Sequence, residues 1–328
     1  MRLRDIPKNN YTINHAYERF MSIVNPYPEN PPFGCLSFEV TTRCNSVCNF
    51  CAHNRIIGGG IRPNKDMSLE MAKKCIDWYA RIPDVKVTKF IPTGLGETML
   101  HPHLIEVLAY ARKVWPGVET FANTNCLNLS GDVARNIIDN GLDDLTFSLC
   151  FIEKEDYETN LGTKNYDLVI NNIKEFLKMK GNRLPNCKVH IFDRPENKKN
   201  MREFVKKFSP NLNKNDSLSV KQFVDLLSVS DAPVKNWTCE ADEMSEFDSL
   251  LMDVEGNVLP CCSALWKEDY KNLILANALT DPPEILPIRT KEFRARPPNE
   301  TCQHCVRIRT PKNYHKISLA CPVRRAGR

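Results

Sequence analysis

Cys44-Asn-Ser-Val-Cys48-Asn-Phe-Cys51 is the stretch of sequence that decides the fold. It spaces three cysteines as CxxxCxxC and follows a strand-like segment at residues 36–42. Thiolates are the soft ligands that iron–sulfur clusters use, and three of them close together can hold one cubane. Three ligands for four irons leave one iron open to react. The pattern therefore predicts a reactive [4Fe–4S] cluster at the carboxyl end of a strand, where active sites of parallel α/β folds lie.

Zinc is the alternative metal for these cysteines. Zinc prefers four tetrahedral ligands, which commonly come as two pairs. His53 lies two residues after Cys51 and offers a fourth ligand. The spacing alone therefore leaves a zinc site open.

Strand-like and helix-like segments alternate on both sides of this loop, from residue 35 to residue 223. Strands are predicted at 35–41, 86–91, 118–122, 145–150, 188–192 and 218–223. Helices are predicted after a Ser68 cap and at 104–115, 133–138, 167–179 and 201–208. About six βα repeats indicate a parallel sheet with helical crossovers. The fold class is therefore α/β, with a partial (β/α)6 barrel over residues 35–223.

The composition excludes several classes of protein. Hydrophobic residues make up 42% of the 328 residues and charged residues 26%, which is typical of a globular protein. No apolar run approaches the roughly 20 residues of a membrane helix, and the N-terminus lacks a signal-peptide core. We therefore expect a cytoplasmic protein that does not contact a membrane. The net charge of +5 is interleaved along the chain, which does not favour nucleic-acid binding.

The 14 cysteines are unusual for a chain without an export signal. Disulfides are unlikely in a reducing compartment, so clustered cysteines point to metal or redox chemistry. A second set consists of Cys239, Cys261, Cys302 and Cys305. Four thiolates would fully ligate a second cluster, but a Cys₄ zinc ribbon uses the same ligands. Cys262 could replace Cys261, because adjacent strand residues point to opposite sides.

The sequence after residue 224 differs in pattern from the barrel. A β-hairpin turning at Gly256 is followed by a proline-rich helical stretch and then by the CxxC of the second cysteine set. These features predict three regions: an N-terminal extension at 1–34, the barrel at 35–223, and a small hairpin and helix domain organised by metal at 224–328.

The first cysteine motif resembles the hallmark of the radical S-adenosylmethionine (SAM) superfamily, in which an aromatic residue precedes the last cysteine. Phe50 occupies that position. Gly94-Leu95-Gly96-Glu97 follows the second predicted strand and resembles the GGE motif of the superfamily. This resemblance implies that Phe50, Gly96 and Glu97 belong to the SAM site. Glu97 would pair with the methionine ammonium group.

Two further positions match the superfamily at successive strand ends. Asn125 follows the third predicted strand, and Ser148 lies near the end of the fourth, where the superfamily often places a ribose contact. Cys126 stands where a glycine usually follows this asparagine. The resemblance therefore implies that Asn125 and Ser148 also contact SAM.

The second cysteine set resembles the auxiliary-cluster extensions called SPASM and twitch domains. The larger SPASM form has further cysteines soon after the CxxC, whereas residues 306–320 contain none. The chain is thus similar to the single-cluster, twitch-like form. The resemblance implies two [4Fe–4S] clusters, SAM, and a flavodoxin or ferredoxin-type electron donor.

The implied activity is reductive cleavage of SAM to a 5′-deoxyadenosyl radical, which abstracts hydrogen from a substrate. We expect a small molecule such as a sugar, cyclitol or nucleoside, which is dehydrogenated or epimerised. The alternative substrate is a ribosomally made peptide, although only 34 residues precede Cys35 and a separate delivery protein would then be needed. Cys262 and Cys321 are candidate catalytic hydrogen-atom donors. A non-enzymatic, zinc-stapled binding module is the third possibility.

Overall fold

A computed structural model describes residues 34–222, 238–239, 249–295, 300–303 and 308–309. Its first six strands are β1 Cys35–Phe38, β2 Lys89–Ile91, β3 Glu119–Thr124, β4 Asp144–Cys150, β5 Asn186–Asp193 and β6 Ser217–Gln222. The helices between them are α1 Leu69–Ala80, α2 Leu104–Val114, α3 Gly131–Asn140, α4 Lys154–Leu161, α5 Tyr166–Lys180, α6 Pro195–Lys199 and α7 Met201–Phe208.

The six strands follow chain order across the sheet, and every neighbouring pair is parallel. Because parallel crossovers are right-handed, strands added in one direction carry their helices on one face. Such a sheet curls into a barrel. The predicted α/β fold with a partial (β/α)6 barrel is confirmed.

The two faces of the sheet differ in polarity. One face carries buried apolar residues such as Leu145, Phe147 and Val189, and Phe147 packs edge-on against Phe176 of α5 at a ring-centroid distance of 5.5 Å. The strand register places polar residues in rows on the other face. These rows are Asn123, Thr146, Lys188 and Ser217, then Ser148, His190 and Ser219. The helices therefore cover the apolar face, and the polar face is the interior of the barrel.

The local signals account for most helices. Ser68 caps α1 by accepting a hydrogen bond from the Met71 backbone N–H (3.2 Å), and the predicted stripe that includes Ala72 and Tyr79 is buried. The limits of some elements differ from the predictions: β2 begins at Lys89, and α3 extends from Gly131 to Asn140. The sequence patterns did not predict α4 or α6.

The C-terminal region continues the same sheet. Strand β8 Ser249–Met252 pairs in parallel with β1, and β9 Asn257–Leu259 runs antiparallel to β8. Gly256 turns the predicted hairpin with a φ of +78°, which confirms that turn. Strand β10 Ala276–Asn277 completes the nine-stranded order β10-β9-β8-β1-β2-β3-β4-β5-β6. The hairpin thus joins the barrel sheet directly, through the pairing of β8 with β1.

The remaining described elements are short. Strand β7 Thr238–Cys239 pairs with β11 Ile308–Arg309, and helices α8 Ile285–Ala295 and α9 Glu300–Gln303 lie between them in sequence. The predicted domain limits at residues 34 and 223 stay predictions. No helix in the described ranges has the length and apolar character needed to cross a membrane.

Candidate active site

The cluster loop, residues 44–51, leaves the barrel just after β1 and is held by the end of helix α4. The backbone N–H groups of Val47 and Asn49 donate to the carbonyls of Leu161 (3.2 Å) and Asn160 (2.9 Å). The Ser46 hydroxyl also donates to the Leu161 carbonyl, at 3.1 Å. These bonds satisfy carbonyls that a helix terminus leaves without partners. Helix α4 therefore sets the course of the loop between its cysteines.

The three thiols of the cluster loop lie close enough together to interact electrostatically. Burial raises the pKa of Cys44 to about 12 and that of Cys48 to about 11, and the neighbouring cysteines add to both shifts. Burial also raises the pKa of Cys51. Thiolate charge here needs compensation by a bound cation, because a buried unpaired charge is strongly unfavourable. This half-buried set of three soft donors fits a [4Fe–4S] cluster.

The alternative of zinc with His53 as a fourth ligand stays a prediction. The Nε2 atom of His53 lies 2.7 Å from the Thr42 carbonyl, and its Nδ1 is buried without a hydrogen-bond partner in the described part of the chain. Among the described residues, no three or more His, Cys, Asp and Glu side chains converge at the distances of a single metal ion. A cubane does not require such convergence, because each of its cysteines binds a different iron.

The segment 94–97 packs directly on the start of the cluster loop. A Cβ atom at Gly96 would lie 2.7 Å from the Arg43 carbonyl oxygen, so only glycine permits this approach. The Glu97 backbone N–H donates to the same carbonyl at 2.8 Å. The predicted residues Gly96 and Glu97 therefore lie beside the cluster loop.

Glu97 is 5% exposed, and its carboxylate connects the segment after β2 to the end of β3. It accepts hydrogen bonds from the backbone N–H groups of Met99 (3.1 Å) and Asn125 (2.7 Å). Burial raises its pKa, and its charge interacts with the thiols of Cys44 and Cys48. The Thr124 hydroxyl also donates to this carboxylate, whose two oxygens together have four lone pairs, so at least one lone pair stays for a ligand. The structure thus brings Glu97 and Asn125 together with the cluster cysteines.

Ser148 and Phe50 occupy two other positions around the loop. Ser148 lies on the polar interior face of β4, opposite His190 of β5. Phe50 packs against Phe192 and Phe151, with ring centroids 5.3 and 6.1 Å away. Their roles in SAM binding stay predictions.

Three of the four cysteines in the second set, Cys239, Cys261 and Cys302, lie within the described residues. Cys261 and Cys302 pack against the same small apolar core, which lies apart from the main core. Cys239 is the register partner of Ile308, only three residues beyond Cys305. The backbone pairing therefore brings this end of the chain towards Cys239. Cys305 and its side chain lie outside the described residues.

Cys262 and Cys321 are the two candidate hydrogen-atom donors. Cys262 is exposed and begins a short 3₁₀ helix, Cys262–Trp266, whereas Cys261 before it is extended. Cys321 lies outside the described residues. Both roles stay predictions.

Sequence reasoning missed a buried group of charges next to this site. Glu39, Arg62 and Asp253 come from three distant segments and meet behind the segment 94–97. The signal available was Glu39, a charged residue in a strand-like run of mostly apolar residues. Its partners could not be identified from the sequence, because no local spacing relates them.

The fold and the cysteine loop define a radical SAM protein. The chain matches the family model of the Radical SAM superfamily over residues 38–208, which is more than half of its length. It therefore belongs to the radical SAM superfamily, whose members hold a [4Fe–4S] cluster and SAM. No curated protein matches the sequence.

Solved structures with the same fold contain different kinds of bound molecule. BtrN in complex with AdoMet and 2-DOIA is 14% identical, with a TM-score of 0.51 over 84% of this chain and 93% of that one. Streptococcus suis SuiB bound to precursor peptide SuiA is 14% identical, with a TM-score of 0.57 over 92% and 75%. Native anSMEcpe with bound AdoMet is 13% identical, with a TM-score of 0.55 over 79% and 82%. At these identities the similarity establishes the fold alone.

Proposed function

We propose that this chain binds SAM at a cluster held by Cys44, Cys48 and Cys51 and generates a radical that removes hydrogen from a small polar molecule. The observation that carries the proposal is the position of the buried Glu97 carboxylate beside the cluster loop: it accepts the Asn125 N–H at 2.7 Å, and the Asn125 side chain donates to Asn45 Oδ1 at 2.8 Å. The chemistry that a bound cluster supplies in this superfamily is one-electron reduction of SAM, which yields methionine and a 5′-deoxyadenosyl radical.

The protein contributes binding, orientation and exclusion of water. Glu97 offers a carboxylate to the SAM ammonium group, and its two backbone hydrogen bonds fix that carboxylate in place. Ser148 offers a hydroxyl to the ribose from the neighbouring strand. Burial lowers the effective dielectric around these groups, so each charge pair is stronger than in water.

The polar interior rows support a small, hydroxyl-bearing substrate. Asn123, Thr146, Ser148 and Ser219 present hydroxyl and amide groups on the barrel interior. Such groups suit a sugar, a cyclitol or a nucleoside, because each hydroxyl of the substrate then finds a hydrogen-bonding partner. Dehydrogenation or epimerisation of a secondary alcohol carbon is the reaction class that we favour.

An auxiliary [4Fe–4S] cluster at Cys239, Cys261, Cys302 and Cys305 is the second part of the proposal. It is supported by the shared core of Cys261 and Cys302 and by the β7–β11 pairing. Four thiolates leave no open iron, so this cluster would accept an electron from the substrate radical rather than cleave SAM. A flavodoxin or ferredoxin-type protein would supply electrons to the first cluster.

The first test compares metal content and SAM cleavage. Two clusters correspond to about eight irons per chain. Replacing Cys44, Cys48 and Cys51 together with Ala should remove about half of this iron and abolish 5′-deoxyadenosine formation with dithionite as reductant. Cys187→Ala is the matched control, because Cys187 is a buried cysteine at the start of β5, away from the cluster loop. Continued 5′-deoxyadenosine formation in the triple variant would refute the site.

The second test addresses the substrate. Sugars, cyclitols and nucleosides are incubated with the reduced enzyme and SAM, and deuterium transfer from substrate to 5′-deoxyadenosine is measured by mass spectrometry. Transfer from one of these small molecules is the expected result. Transfer only from a peptide would show that the protein is a peptide-modifying enzyme instead. If metal analysis finds zinc instead of iron and the protein is colourless, the chain is a zinc-binding module and not an enzyme of this kind.

A further inference from the structure

Glu39, Arg62 and Asp253 form a buried ion triad between the barrel and the C-terminal hairpin. All three side chains are 0% exposed. Arg62 Nη1 donates to Glu39 Oε1 at 3.2 Å, Nη2 contacts Glu39 Oε2, and Asp253 Oδ2 lies 3.9 Å from the same Nη2. The guanidinium of Arg62 also lies over the Tyr270 ring, 5.3 Å from its centroid. Both carboxylate oxygens of Glu39 are thus bound by the Arg62 guanidinium inside the protein.

The other side of the Glu39 carboxylate holds the segment 94–97. Its Oε1 accepts a hydrogen bond from the Leu95 backbone N–H at 2.9 Å. A Cβ atom at Gly94 would lie 2.6 Å from Glu39 Cβ, so the glycine lets the segment approach the carboxylate. Two residues later, the Glu97 N–H donates to the Arg43 carbonyl. The backbone that carries Glu97 is therefore bound to residues 39–43 at both ends.

Stability alone does not explain this triad. Well-packed apolar side chains of the same volume are often as stabilising as a buried ion pair, or more so. An ionised carboxylate, however, accepts stronger hydrogen bonds from backbone N–H groups than a neutral oxygen does. The Glu39 carboxylate has two such donors, Leu95 N–H and Val254 N–H (3.4 Å). The guanidinium of Arg62 is the buried partner of this acceptor.

We infer that Glu39, paired with Arg62, is a positioning residue for SAM binding. It fixes the backbone at Leu95 so that Glu97 presents its carboxylate beside the cluster loop. This inference rests on the proposed contact between Glu97 and the SAM ammonium group. Because Asp253 and Val254 belong to the C-terminal hairpin, the same triad fastens that hairpin to the SAM site.

The test measures SAM affinity of the cluster-loaded protein by calorimetry, together with its melting temperature. Glu39→Ala removes the acceptor of the Leu95 N–H and should weaken SAM binding by roughly tenfold or more. Glu39→Gln keeps a carbonyl oxygen for that N–H and should recover part of the affinity. If Glu39→Ala does not fold, the SAM affinity of Glu39→Gln is compared with that of the wild type. Weaker binding supports the inference, and equal binding overturns it.

Lys180→Met is the matched control. Lys180 and Asp216 form another ion pair with both side chains 0% exposed, at 3.0 Å, and Lys180 also donates to the Gly181 and Arg183 carbonyls after the end of α5. This variant should lower the melting temperature and leave SAM affinity unchanged. If SAM affinity falls in proportion to melting temperature in the Glu39 variants and in Lys180→Met alike, the role of Glu39 is purely structural and the inference is overturned.

Glu97→Gln separates this inference from the proposed function. If Glu97→Gln weakens SAM binding and Glu39→Ala does not, the positioning role of Glu39 is wrong and the proposed site stands. If Glu97→Gln leaves the affinity unchanged, the proposed contact is wrong and the role of Glu39 falls with it. Weaker binding in both variants, with normal binding in Lys180→Met, supports both.

Discussion

Gly162 should be essential for the geometry of the cluster loop. It ends helix α4 in a left-handed conformation, with φ 63° and ψ 35°, and its N–H donates to the Glu158 carbonyl. A Cβ atom at this position would lie 2.8 Å from the Val47 carbonyl oxygen and 3.2 Å from Val47 Cβ. Val47 stands between Cys44 and Cys48. Gly162→Ala should therefore strain the backbone at residue 162. The new methyl group should also clash with the backbone of Val47, which lies between two cluster ligands.

The expected loss in the free energy of unfolding is the sum of these two contributions. A side chain in the left-handed region costs about 1–2 kcal/mol. Forcing an extra methyl group against packed backbone costs about 1–3 kcal/mol more. Gly162→Ala should therefore lower the free energy of unfolding by about 2–5 kcal/mol. Gly117→Ala is the control, because Gly117 has a φ of +83° but a Cβ atom added there would meet nothing within 4 Å; it should lose only about 1–2 kcal/mol.

The assay is urea denaturation of both variants, together with their iron-to-protein ratio after cluster assembly. We expect Gly162→Ala to lose more stability than Gly117→Ala and to hold less iron at a temperature where both are folded. Equal losses of stability and equal iron content would show that contact with Val47 does not control the loop. The reasoning about helix α4 would then be wrong.

Three further outcomes are expected. Tyr157→Phe should keep or raise the melting temperature, because the Tyr157 hydroxyl is buried without a hydrogen-bond partner in the described part of the chain. Burial and two nearby lysines lower the pKa of His190 to about 3. As the pH decreases, the unfolded chain, in which His190 has a usual pKa of about 6.5, is protonated before the folded chain. The free energy of unfolding should therefore decrease as the pH decreases from about 6.5 to about 3, by up to about 1.4 kcal/mol per pH unit. His190→Gln should flatten this slope in denaturation measured from pH 7 to pH 4. Gly96→Ala should weaken SAM binding in calorimetry, whereas Gly58→Ala, where an added Cβ atom would meet nothing within 4 Å, should not.

Local patterns were sufficient to predict the barrel and its cluster loop. The apolar stripe of α1 and its Ser68 cap lie within one stretch of chain, and so do the three cysteines of CxxxCxxC. Helix α4 could not be predicted in the same way. Only Tyr157 and Leu161 are buried among its eight residues, so it has no strong periodic stripe. Its role comes from carbonyl groups that meet the cluster loop in space.

The C-terminal hairpin shows the same limit. Gly256 marked the turn, but nothing local indicated that β8 would pair in parallel with β1, more than 200 residues earlier. Without β8, strand β1 would be an edge of the sheet with unpaired backbone groups. Met252 accepts a hydrogen bond from the Glu39 N–H at 2.8 Å, which continues this pairing up to the buried ion triad. The partners of Glu39 are thus consequences of a long-range strand pairing.

Cys126 is the clearest departure from the superfamily pattern, since a glycine usually stands there. In the structure Cys126 adopts a φ of +65°, the left-handed conformation that glycine favours. Three hydrogen bonds hold the turn in this shape: Cys126 N–H to Thr124 Oγ1 (3.0 Å), Leu127 N–H to Asn125 Oδ1 (3.0 Å), and Asn172 Nδ2 to the Cys126 carbonyl (2.9 Å).

Together these bonds outweigh the roughly 1–2 kcal/mol that a side chain costs in the left-handed region. The Cys126 side chain is also fully buried, so its apolar contacts offset part of that cost. The geometry that matters for the site survives, because the Asn125 N–H still donates to Glu97 at 2.7 Å. A motif position can therefore lose its usual glycine without losing the turn, provided that neighbouring side chains determine the backbone in its place.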